Sequence, residues 1–185
     1  MNFDETSISG AFIIRCERFE DERGFFAKVF SRREFESNNL GADFVDFNLS
    51  FSRKRGTLRG LHYQLPPHSE DKLMRCTKGG IYEVIVDMRP ESSTYGQWVG
   101  VELRASGLTM LYVPKGVANG FQTLEDDSEV FYTASRYHNP PAERGLRWND
   151  PRLGISWPLP GDPILSEKDR SWPDFEHEPG LKTRP

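Results

Sequence analysis

The feature that most constrains this chain is a run of short strand-forming segments with almost no helical period between them. FIIR (12–15), FFAKVF (25–30), FVDFNLSF (44–51), LRGLHYQ (58–64), KLMRC (72–76), IYEVIVDM (81–88), WVGVEL (98–103), MLYVP (110–114), ANGFQTL (118–124) and EVFYTA (129–134) are rich in β-branched and aromatic residues. Gly, Pro, Asn, Asp or Ser separate them. Ten such segments in about 125 residues predict an antiparallel sandwich or barrel. Two short helices are expected: SRREFESN (31–38) opens with a Ser31-x-x-Glu34 capping box, and LSEKDRSW (165–172) with Ser166-x-x-Asp169. After Trp157 the chain is rich in Pro, Asp and Glu, which predicts an irregular wrap over the barrel with a loose end. No repeat or linker marks a second unit, so residues 1–185 read as one domain.

A hydrophobic content of 36% with 12% aromatic residues supports a folded core. The net charge of −4 argues against a protein that coats nucleic acid, while leaving room for a basic pocket around one phosphorylated ligand. No stretch approaches the roughly 20 apolar residues of a membrane span. The first residues, MNFDETSISG, lack the basic-then-apolar pattern of a signal peptide. The expectation is a cytoplasmic protein with neither membrane nor nucleic acid as partner. Cys16 and Cys76 are too few and too far apart for a disulfide framework or a zinc ribbon, and read as structural thiols.

The chemistry has to come from few parts. None of the four histidines, His62, His68, His138 and His177, forms a His-x-His pair with a following Glu, so no metal is expected. Dinucleotide, phosphoryl-transfer and serine-hydrolase motifs are missing as well. Acid and base work by His, Tyr, Asp and Lys remains. TLRGLHYQ (57–64) places Arg59 and His62 three apart around Gly60, on opposite faces of a regular strand. If both serve one pocket, the strand must bend or bulge at Gly60. Each candidate also has a plain structural reading. A strand histidine is more often a hydrogen-bonded structural residue than a base; Tyr132 alternates with Val130 and suits a core; Asp169 is explained as a capping acid. Lys72 and Arg23 would ordinarily be solvated, and Phe25 and Phe26 would be packing. Composition and spacing alone thus give a β-barrel with an unassigned pocket.

The wording of the segments goes further. FEDERGFFAKVF, NLSFSRKRGTLRGLHYQ, DKLMRCTKGGIYEVIVDMRPESSTYGQWVGVELR, LYVPKGVANGFQTLEDDSEVFYTASRYHNPPAERGLRWNDPRLGISWP and ILSEKDR resemble, in that order, the dTDP-4-dehydrorhamnose 3,5-epimerase family. The resemblance runs from about residue 8 to 175. It implies an all-β, cupin-type antiparallel jelly roll that acts as a homodimer with exchanged N-terminal strands. The implied ligand is a nucleotide-linked 4-keto-6-deoxyhexose, with dTDP as the nucleotide, and neither metal nor cofactor is needed. In such a sugar the C4 ketone acidifies the C3 and C5 protons, because the carbanion delocalises onto oxygen as an enolate. An epimerase then needs a base on one face, an acid on the other, and cations or donors for the enolate.

Carried over by motif, His62 of RGLH is the base, Asp169 of LSEKDR its partner, and Tyr132 of EVFYTA the acid on the opposite face. Lys72 of DKLMR, helped by Arg59, is implied near the C4 oxygen or the phosphates. Arg23 matches the substrate-binding arginine of the family, Phe26 a residue that packs on the base, and Asn48 a polar site residue. Three departures stand out. Asn119 replaces a histidine in ANGF, Asp46-Phe47-Asn48 replaces Q-x-N, and Tyr137-His138-Asn139-Pro140 replaces Tyr-Tyr-x-Pro. They bear on which carbon reacts and which sugar fits. A single-carbon epimerase, an epimerase of another nucleotide sugar and a non-catalytic nucleotide-sugar binder therefore stand as alternatives.

Overall fold

A computed structural model describes residues 1–175; the expected loose end and His177 fall in 176–185, outside the described residues. In chain order the elements are β1 (Asn2–Glu5), β2 (Phe12–Arg15), β3 (Arg18–Asp21), β4 (Gly24–Ala27), α1 (Arg32–Ser37), β5 (Asp46–Ser52), β6 (Leu58–Gln64) and β7 (Lys72–Lys78). There follow β8 (Gly80–Asp87), β9 (Trp98–Arg104), β10 (Thr109–Val113), β11 (Val117–Thr123), β12 (Ser128–Ala134), β13 (Glu143–Gly145) and α2 (Glu167–Arg170). Every expected segment carries a strand, although that of 25–30 stops at Ala27.

Two antiparallel sheets face each other as a cupin-type jelly roll. One has the order β1-β2-β10-β7-β12-β5, the other β13-β6-β11-β8-β9, and β3 and β4 form a separate ribbon. Side chains alternate across a strand, so the inward sets from both sheets meet in one core: Met74, Cys76, Ile81, Ile85, Leu111, Phe121 and Val130 are all buried there. Strand β11 is buried at every position, because its other face is also covered. The irregular chain after β13 lays Leu146, Leu153 and Phe175 over Leu61, Val84, Val86 and Ala118.

Helix α1 seals the outer face of the six-stranded sheet by burying Phe35 against Ile14, Leu73, Met110 and Tyr112. Its expected capping box does not form. Ser31 makes no side-chain cap bond, and the Glu34 carboxylate, which would have returned the second bond of the box, turns instead to the N-terminal ammonium and Lys28, each at 3.1 Å. At α2 the Ser166 hydroxyl does accept from the backbone N–H of Asp169, at 3.0 Å. The thiols of Cys16 and Cys76 are both free. Among the described residues no helix is long and apolar enough to cross a membrane.

Candidate active site

The distortion that Arg59 and His62 require is present at Gly60. Strand β6 pairs with β11 so that His62 faces Asn119 while Arg59 faces Phe121. Three steps on β6 thus run against two on β11, a bulge of one residue. Gly60 has φ +113°, and a Cβ there would stand 2.6 Å from Gly120 Cα and 2.7 Å from the Asn119 carbonyl oxygen. Only glycine satisfies both the dihedral and the close approach. The bulge brings Arg59 and His62 to one cavity.

His62 is held by a residue 107 positions away, its Nε2 lying 2.5 Å from Asp169 Oδ1. The wrap delivers Asp169: Leu58 N–H donates to the Ile164 carbonyl at 2.9 Å and Ile164 N–H to that of Gly56 at 3.0 Å, clipping the segment before α2 to the start of β6. Burial works to raise the Asp169 pKa, but hydrogen bonds from His62, Ser166 and Trp172 outweigh it and leave the carboxyl below its ordinary value. Asp169 is therefore an acceptor only, and His62 Nε2 must carry the hydrogen. Trp172, three residues on, donates to the same carboxylate oxygen at 3.4 Å and stacks edge-on to His62 at 5.9 Å. Its indole lies where a side chain on Gly145 would be, 2.3 Å from that position, and Gly145 is the β13 register partner of His62.

Two adjoining cavities of about 330 and 200 Å³ share His62, Lys72 and Tyr132 in their walls. His62 and Tyr132 belong to facing sheets, on β6 and β12. Burial, reinforced by Glu70, Asp46 and Glu143 and opposed by Arg59, raises the Tyr132 pKa, so the phenol keeps its proton at neutral pH. Lys72 donates to Asn119 Oδ1 at 2.9 Å and pairs with Glu70 at 3.0 Å. Arg59 is steadied by Ser52 Oγ at 3.2 Å and the Phe51 carbonyl at 3.0 Å. Asp46, Asn48 and His138 line the larger cavity, and Asn119 the smaller.

Three expected residues stand apart. Tyr137 is 71% exposed and Phe26 68%, and neither lines the cavities; Arg23, at the tip of the β3–β4 ribbon, pairs with Asp21. Lys168, Glu143 and Arg136, which the sequence does not single out, also line the site. Lys168 bonds both carboxylate oxygens of Glu143 at 2.6 Å, and the expected His138 lies 3.2 Å from the same carboxylate. Lys168 sits directly before Asp169, the one local signal that could have marked it. Among the described residues, no group of three or more His, Cys, Asp or Glu side chains is placed to hold a metal ion.

Comparison with known proteins places the chain in a family. Residues 5–177 match the family model of dTDP-4-dehydrorhamnose 3,5-epimerase. A protein of that name from Sinorhizobium fredii is 43% identical over 175 residues, covering 95% of this chain and 90% of its own. The Bacillus anthracis enzyme of the same name, solved with TDP and pyrophosphate bound, superposes with a TM-score of 0.91 at 40% identity, over 94% of this chain and 99% of its own. The dTDP-6-deoxy-D-glucose 3,5-epimerase of Legionella pneumophila, solved with dTDP-4-keto-L-rhamnose, gives 0.88 at 37% identity, over 94% and 92%. This chain, with its jelly roll and its His62–Asp169 pair opposite Tyr132, belongs to the dTDP-4-dehydrorhamnose 3,5-epimerase family.

Proposed function

We propose that the protein is an isomerase that inverts C3 and C5 of dTDP-4-dehydro-6-deoxy-D-glucose, the step that prepares the dTDP-L-rhamnose precursor. The names and bound ligands of the relatives support the substrate. One observation carries the mechanism: an imidazole and a phenol stand on facing sheets across a cavity that also holds an ammonium group.

With Nε2–H donated to Asp169, the lone pair of neutral His62 is on Nδ1, and this nitrogen takes the proton from C3 or C5. The electron pair moves onto the C4 oxygen, where Lys72, with Arg59 behind it, stabilises the enolate. Asp169 stabilises the imidazolium. Tyr132 then gives its proton to the same carbon from the other side, inverting it. Solvent restores the phenol and removes the proton from His62, and the cycle repeats at the second carbon. Asn48 and His138 bind the substrate in the larger cavity. The protein works as a homodimer in which each ribbon carries Arg23 and Phe26 to the partner's cavity, closing it around the nucleotide.

Incubation with the dTDP-linked 4-keto sugar in heavy water tests this reading. Deuterium should appear at both C3 and C5, with formation of the L-configured product. Incorporation at one carbon only would make the protein a single-carbon epimerase. Tight dTDP-sugar binding with no incorporation would make it a binder.

A further inference from the structure

A buried carboxyl group stands behind the site and takes no part in the steps above. Glu83 lies in the middle of β8 with no exposed surface. Its neighbours two positions away, Ile81 and Ile85, belong to the core between the sheets, so Glu83 occupies a position where an apolar side chain would pack. Its Oε1 accepts from Asn119 Nδ2 at 3.0 Å, and its Oε2 has no hydrogen-bond partner among the described residues. A buried polar atom left in that state is destabilising. Folding gains little from the group.

The gain lies one bond further on. Asn119 places its amide nitrogen toward Glu83 and its Oδ1 toward Lys72 Nζ. Lysine has donors only, so the amide oxygen must face Lys72, and the amide nitrogen must then find an acceptor on its other side. Glu83 supplies it. Lys72 has three N–H donors; Asn119 takes one and Glu70 another, which leaves the third for a ligand in the cavity that Lys72 lines. The Glu83–Asn119 pair therefore forms an anchor for Lys72.

We propose that Glu83 is a positioning residue for Lys72, acting through Asn119 to aim the ammonium group at the substrate oxygen that becomes the enolate. The proposal rests on the epimerase reading for its purpose and on the hydrogen-bond chain for its substance, and the two are tested apart. Glu83→Leu should still fold, bind dTDP within about twofold of the native protein, and lose about 10- to 10²-fold in kcat with little change in KM. Glu83→Gln, whose carbonyl oxygen can accept from Asn119, should recover most of that loss. Asn119→Leu should fall as Glu83→Leu does, and the double variant should be no worse than the weaker single variant, since both break one chain. Acetylation of Lys72 by a limiting reagent, mapped by mass spectrometry, needs no turnover; it should speed up in both Leu variants but not in Glu83→Gln. Unchanged Lys72 labelling in both Leu variants overturns the proposal whatever substrate the protein uses. So does a double variant whose loss in kcat is the product of the single losses. Altered labelling in a protein that exchanges no sugar proton would instead leave the anchor standing and sink the epimerase reading.

Discussion

Asp169 serves two structures with different atoms. Its backbone N–H satisfies the cap at Ser166, which leaves the carboxylate to fix the tautomer of His62. The capping pattern is legible in LSEKDR itself, whereas the partnership with His62 is implied only by the family resemblance, and the two do not compete. His62→Asn should lower solvent exchange at every carbon by about 10²- to 10⁴-fold, while dTDP binding and the melting curve stay near native. Near-native exchange would remove His62 from the mechanism. Asp169→Asn should be milder, since Ser166 and Trp172 still hold the side chain. Glu83 was not legible, because a single Glu in a strand reads as solvent-facing; its phase with Ile81 and Ile85 was the available sign. Burial raises its carboxyl pKa to about 7 from an ordinary 4.5, against the opposing pull of Asn119 and Lys72. Between those values the folded protein holds a proton that the unfolded chain has lost. Stability must therefore fall as pH rises through this window, by about 3 kcal/mol in all, and level off above it. Glu83→Gln removes that term, so its stability relative to native should grow between about pH 5 and pH 8 in denaturant titrations. A constant difference across that range would show that Glu83 does not titrate as its burial requires.

At the scale of elements, the strands that build the cavity were legible because each is a β-branched or aromatic run between turn residues. Those read least well are strands by pairing rather than by composition. β1 is NFDE, held by β2; β3 is RFED, fully exposed; β13 is only Glu143–Gly145, held by β6. The need for a bulge at Gly60 was legible from the spacing of Arg59 and His62, whereas its depth depends on Gly120, which no local pattern reveals. Gly60→Ala forces a Cβ against two backbone atoms of β11 at a positive φ. It should cost about 1–3 kcal/mol of stability and lower kcat by separating Arg59 from His62. Gly56 supplies the control, since it has φ +81° but open space around it. Gly56→Ala should cost only about 1 kcal/mol and leave kcat near native. Equal effects at the two positions would show that the dihedral matters and the close contact with β11 does not.

At the scale of the whole molecule, β5 carries its pattern inside out. Asp46 and Asn48 face the larger cavity and Ser50 the smaller, while Phe47, Leu49 and Phe51 point away from it and are 67%, 63% and 44% exposed. An edge strand with an apolar outer face is a liability in a lone subunit and an asset against a second copy. The ribbon of β3 and β4 joins neither main sheet and holds Phe19, Phe25 and Phe26 in the open, away from the cavities of its own chain. The proposed two-fold dimer would cover both features. Subunit mixing tests whether the ribbon acts across the interface. Arg23→Ala and His62→Asn should each be nearly inactive as pure proteins. If Arg23 serves the partner's cavity, a mixed dimer has one cavity with both defects and one with neither. After random exchange of equal amounts, activity should return to about a quarter of native, since about half the dimers are mixed and each has one intact cavity. If Arg23 serves its own cavity, every cavity in the mixture keeps one defect and nothing returns. Exchange of subunits, followed by mass spectrometry of intact dimers, makes the second result decisive against ribbon exchange.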